Sequence, residues 1–135
     1  MGGLATYGKQ QALVGILANG TTYYVGLLTT LPSDDTGAGL VEATGSGYAR
    51  KGHSAWMNVD ESPEWYRVNN GAIEFAALTA DLDGCIGWGI WTAVSGGSLI
   101  AWGPLLDVGE NEVEIDFLSG NQPRFIDQEL KVGID

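Results

Sequence analysis

The hydrophobic period of this chain switches once, near residue 20, and that switch limits the folds open to it. Before Asn19-Gly20, the residues Leu13, Ile16 and Leu17 fall at i, i+3 and i+4 among helix formers such as Ala5, Gln10, Gln11 and Ala12. Residues 5–18 are therefore expected to form one short N-terminal helix, with Asn19-Gly20 as its stop. From Thr21 onward the period is 2. The clearest case is residues 112–118, where Val113, Ile115 and Phe117 face inward and Glu112, Glu114 and Asp116 face solvent. Residues 129–134 repeat it with Leu130, Val132 and Ile134 inward.

Further strands are read at 23–30, 48–51, 65–68, 72–75 and 98–103. Residues 23–30 are apolar on both faces, which predicts a central strand or one covered by the helix. Asn69-Asn70-Gly71 is a strong turn, and Ser95-Gly96-Gly97 closes a hairpin between 84–92 and 98–103. Within 84–92, Gly87 and Gly89 alternate with Ile86, Trp88 and Ile90, leaving one face open for an aromatic from a neighbour. About eight short strands give an all-β class: an antiparallel β-sandwich, jelly-roll-like, with the helix packed on it. No linker or internal repeat divides residues 1–135, so a single domain is expected. Its core is expected to include Val25, Leu27, Phe75, Trp88, Ile90, Val113, Ile115, Phe117, Val132 and Ile134.

Charge and chemistry narrow the function. The chain carries 17 acidic against 6 basic residues, a formal net charge of −11, with Arg50-Lys51 as the one adjacent basic pair. Neutralising phosphates needs clustered Lys and Arg, so no direct nucleic-acid partner is expected. Acidity suits solubility and steering towards a basic protein surface. No run approaches the ~20 apolar residues of a membrane span, and the N-terminus lacks the charged and apolar regions of a signal peptide, so neither membrane partner nor export is expected. Cys85 is the single cysteine and His53 the single histidine. One histidine cannot supply a multi-histidine metal site, and no Gly-x-Ser-x-Gly elbow accompanies it, so it reads as an exposed or capped loop residue. Gly37-Ala38-Gly39 and Gly45-Ser46-Gly47 lack the context of a phosphate loop, and Asp81-Leu82-Asp83-Gly84 lacks the distal ligands of a calcium loop. The expected catalytic, metal and cofactor sets are all empty. Asp60, Glu61 and Glu64 beside Trp56, Trp65 and Tyr66 read as a solvated acidic loop, with carbohydrate binding as the competing reading.

Tyr24-Val25-Gly26-Leu27-Leu28-Thr29-Thr30-Leu31-Pro32-Ser33-Asp34-Asp35, followed by Gly45-Ser46-Gly47-Tyr48-Ala49-Arg50, resembles a signature of small tailed-bacteriophage virion proteins. Residues 88–91, 96–103 and the closing Val132-Gly133-Ile134-Asp135 extend the likeness over residues 21–135. Residues 53–68 and 118–128 depart from it and take no role from it. Such proteins are often labelled tail-fibre proteins, and several are similar to capsid cement proteins. The resemblance implies a non-enzymatic virion protein on the capsid exterior, assembled in the host bacterial cytoplasm. Its implied partners are the major capsid protein and further copies of itself, with a dimer as first expectation. A tail-fibre protein recognising a host glycan or protein is the alternative.

Under either role a few anchors carry most of the affinity, and Trp and Tyr serve best. Trp56, Trp65 and Tyr66 lie in a segment too polar for plain core and are the anchor candidates. Asp34, Asp35 and Glu42, on an acidic loop over residues 31–47 expected to order on binding, are candidates for pairing with basic residues. Tyr48, Arg50 and Trp88 are expected to stabilise the fold, Tyr48 pointing inward and Arg50 bonded to a carboxylate.

Overall fold

The computed structural model describes residue 12, residues 15–62 and residues 64–133. The expected helix over residues 5–18 falls mostly outside them, as does Ile134. The described chain is an antiparallel β-sandwich of 12 short strands, more than the sequence pattern showed.

The main sheet contains β1 (Tyr23–Thr30), β2 (Val41–Glu42), β3 (Lys51–His53), β8 (Gly87–Trp91) and β9 (Leu99–Pro104). Its order is β2-β1-β8-β9, with β3 also pairing β1. β4 (Trp56–Glu61), β5 (Glu64–Asn69) and β12 (Lys131–Gly133) form a second sheet in the order β12-β5-β4. Two ribbons complete the fold: β7 (Leu82–Cys85) with β10 (Ile115–Phe117), and β6 (Ile73–Glu74) with β11 (Arg124–Phe125).

The two-faced apolar run of β1 has a direct explanation. Val25 and Leu27 turn towards the core, opposite Ile90 and Trp88 of β8. Gly26 and Leu28, on the reverse face, are buried as well. That face is covered at Gly26 by Tyr48, Trp91 and Glu42, not by a helix.

Several expected strands shift. The strand expected at 48–51 begins at Lys51, because Tyr48 and Arg50 use their side chains to cross the sheet instead of entering it. The run 84–92 divides at Ile86: β7 pairs with β10, while β8 joins the main sheet. At the break the Ile86 amide donates to Leu28 and its carbonyl accepts from Leu105, so no backbone group is lost in the crossing. β2, β4 and β11 escape the pattern. Two of them are two residues long, too short to show alternation, and β4 mixes Trp56 and Val59 with Asn58 and Asp60.

Val25, Leu27, Phe75, Trp88 and Ile90 are buried, and Val113, Ile115, Phe117 and Val132 pack half-buried against them. The same core also takes Leu17, Trp56, Leu78, Leu105, Phe125 and Leu130. The glycines of β8 and β9 explain how tryptophans fit. A Cβ at Gly103 would lie 2.6 Å from the Trp88 ring on the neighbouring strand, and one at Gly89 would lie 2.6 Å from the ring of Trp91 on its own strand. The aromatic over Gly89 thus comes from two residues along, where the sequence suggested an adjacent strand.

Two buried polar residues tie the sheets to their flanks. Asn69 donates to the Gly71 and Ile126 carbonyls at 2.7 and 2.9 Å and accepts from the Leu130 amide at 2.9 Å. Arg67 donates through Nε and Nη2 to the Leu17 carbonyl at 2.8 and 2.6 Å, and through Nη1 to Asn58. Burial lowers its pKa from the ordinary arginine value.

Candidate interaction surface

The expected site residues are dispersed over the fold. Glu42, Tyr48 and Arg50 come together on the outer face of the main sheet. The Tyr48 hydroxyl donates to Glu42 Oε2 at 2.6 Å and accepts from the Leu27 amide at 2.9 Å. Arg50 meets both Glu42 oxygens, with Nη2 at 2.8 Å from Oε1, and its Nη1 donates to the Ala93 and Gly96 carbonyls. The guanidinium lies 3.9 Å from the centroid of the Trp91 ring. Burial, then the bond to Glu42, raises the Tyr48 hydroxyl above its usual range.

This arrangement corrects the reading of Glu42 as an acid offered to a partner. Its carboxylate is occupied within the chain by two donors. The lock joins β2 and the nearby 45–50 segment to the loop after β8, more than 40 residues further along the chain.

Trp56 is likewise corrected, from surface anchor to core. It is 0% exposed at the start of β4. A buried indole is tolerable only when its polar atoms have partners. Here the indole N–H donates to the His53 carbonyl, the backbone amide donates to Asn19 Oδ1 at 2.6 Å, and the ring meets His53 edge-on at 5.1 Å. His53 itself sits in β3, half-buried, with Nε2 3.1 Å from the Asn70 carbonyl. A carbonyl can only accept, so that contact places the proton on Nε2.

Trp65 and Tyr66 remain half-buried at the surface but do not form one patch. They are consecutive in β5, so they point to opposite faces of the sheet. The Tyr66 ring covers Gly133, where a Cβ would lie 3.0 Å away, and Lys131 approaches the ring at 5.7 Å. Lys131 also pairs with Glu61.

Asp34 and Asp35 are exposed on the 31–47 loop. The loop is folded on itself: the Ser33 amide donates to Ala38, Gly37 to Asp34 and Leu40 to Gly37. Asp34 accepts from the Thr36 hydroxyl and amide, which holds its carboxyl below the usual range. In the Asp81-Leu82-Asp83-Gly84 segment, Asp81 accepts from the Ser119 amide and the Gly84 amide donates to Asp116. Among the described residues no three His, Cys, Asp or Glu side chains converge as a metal site, and no helix is long and apolar enough to cross a membrane.

One feature of the surface escaped sequence reasoning. A groove of about 830 Å3 opens between residues 102–108 and residues 123–131. Its floor includes Leu27, Trp88, Phe125 and Leu130, which belong to the core, and Leu106, Val108 and Ile126 stand exposed around it. Sequence offered little signal, because its walls are the end of β9, short strands and loops that come from segments far apart in the chain.

The described chain is all-β, with a locked outer face and an apolar groove. The class is that of phage virion structural proteins. The family model of the podophage GP4 fiber I protein gp80 matches residues 9–132, and the chain belongs to that family. No curated protein matches the chain.

Proposed function

We propose that the chain is a non-enzymatic component of a phage tail-fibre assembly, holding its place through protein–protein contact. The observation that carries this reading is membership of a family described as a fibre protein, matched over nearly the whole chain. The structure is consistent with it. Among the described residues a groove of about 830 Å3 is apolar and edged with carboxylates, which suits docking onto protein.

The second reading is a capsid cement protein clamping the major capsid protein at the shell exterior. The acid surplus favours it, since a net charge of −11 is a suitable complement to a basic shell surface. Asp34, Asp35, Trp65 and Tyr66 would be contact residues under either reading, and self-association as a dimer belongs to both. A density map of the intact particle separates them. Low copy number on the tail supports the fibre component, high copy number on the shell supports cement, and absence from purified particles refutes both.

A further inference from the structure

The groove beside β9 has the chemistry of a receptor for a particular kind of peptide. Val108 stands fully exposed at the tip of a turn beside the groove. The turn is well fixed. Asp107 Oδ1 accepts from the Gly109 and Asn111 amides at 2.8 and 3.0 Å, and a bridge between Leu106 and Glu112 closes its base. Leu106 and Ile126 are about half exposed nearby, so an apolar rim leads to an apolar floor. Contiguous apolar surface of this kind marks a binding face.

The charges around it are unbalanced. Asp107, Glu110, Asp127 and Glu129 line the groove against Arg124 and Lys131, and Lys131 is already paired with Glu61. A second copy of this chain would bring another acidic rim and another −11 of net charge to the same place. A small polar ligand would need convergent polar groups, whereas the floor is core hydrocarbon. A partner carrying apolar side chains between cations meets both conditions.

The sheet edge adds a backbone handle. β9 pairs only with β8 among the described residues. The Leu105 amide bonds to Ile86, so alternate residues, Gly103 and Leu105, face β8 and Trp102 turns its amide and carbonyl outward. Pro104, the next outward position, has no N–H, so a segment added here is held at one residue pair and not along a full ladder.

We propose that this groove receives a short extended segment of another virion protein, apolar in the middle and flanked by Lys or Arg. The assignment rests on the virion reading above and adds the partner's chemistry to it. The test places a benzophenone amino acid at position 108 of the full chain during phage propagation. Particles are purified and irradiated, and the cross-linked peptide is sequenced by mass spectrometry. The expected product is a peptide of a different virion protein, with apolar residues next to Lys or Arg. Leu106→Asp in the same chain should cut its yield at least tenfold. A synthetic peptide of the captured sequence should bind the purified chain and lose affinity as salt rises. Cross-links to a second copy of this chain, to carbohydrate, or to a segment without basic residues would overturn the proposal. So would incorporation into particles with no cross-link at all. Absence of the protein from particles would instead sink the virion reading on which this one stands.

Discussion

Replacing Gly26 by alanine sets two effects of opposite sign against each other. Gly26 lies in the centre of β1, where glycine costs roughly 0.5–1 kcal/mol relative to alanine through backbone entropy. Propensity alone therefore predicts a more stable protein. The structure predicts the reverse. A Cβ at Gly26 would stand 2.4 Å from the Tyr48 hydroxyl, 2.8 Å from the Trp91 ring and 2.9 Å from Glu42 Oε2. None of these neighbours retreats freely: the hydroxyl is bonded to Leu27 and Glu42, and the Trp91 ring is held between Gly89 and Arg50. Overpacking costs about 1–3 kcal/mol, and breaking the bond to the Glu42 carboxylate costs a further ~1.5–3 kcal/mol. After the propensity gain, the net is a loss of about 2–5 kcal/mol. Urea unfolding followed by tryptophan fluorescence would read this as a lower midpoint at unchanged slope. Tyr48→Phe should cost less in the Gly26→Ala background than in the native chain, because the bond it removes is already broken. A Gly26→Ala protein as stable as the native one, or more so, would refute the account of the lock.

Asn69→Leu keeps volume but leaves the Leu130 amide and the Ile126 carbonyl without their buried partner, and should destabilise by about 2–4 kcal/mol by the same unfolding assay, with amide exchange quickening first around residues 126–130. Trp56→Ala should cost about 3–5 kcal/mol by emptying a fully buried site, whereas Trp65→Ala should stay folded within about 1 kcal/mol and, if Trp65 is a contact, lower the number of copies retained on particles. Burial, reinforced by Asp116 and Asp83, pushes the Cys85 thiol from 9.0 up to about 11. A raised folded pKa means stability that is complete below pH 9 and lost as pH climbs towards 11, so the melting temperature should fall across that window, and fall less steeply in Cys85→Ala.

The sequence by itself determined the class. Strict alternation at 112–118, the two-faced run of β1 and the glycine-spaced hairpin of β8 and β9 are local patterns, set by which side chains must leave water, and they are readable without knowing any neighbour. The placement of Gly87 and Gly89 also carried meaning in sequence, as room for something large. What filled that room was decided by tertiary structure. Glu42 reads as a solvent-facing acid on an acidic loop until β2 pairs with β1 and carries it to Tyr48 and Arg50. Trp56 sits among polar residues in sequence, and its burial follows from pairing in the β4–β5 hairpin, with Asn19 and the His53 carbonyl as partners for its polar atoms. Trp65 and Tyr66 look like one aromatic pair in the chain, yet the pleat sends them to opposite faces. The groove lined by Leu106, Val108 and Ile126 is assembled from segments with no shared periodicity. Solvent exposure and charge pairing depend on which strands become neighbours, and that is a property of long-range packing that no local pattern encodes.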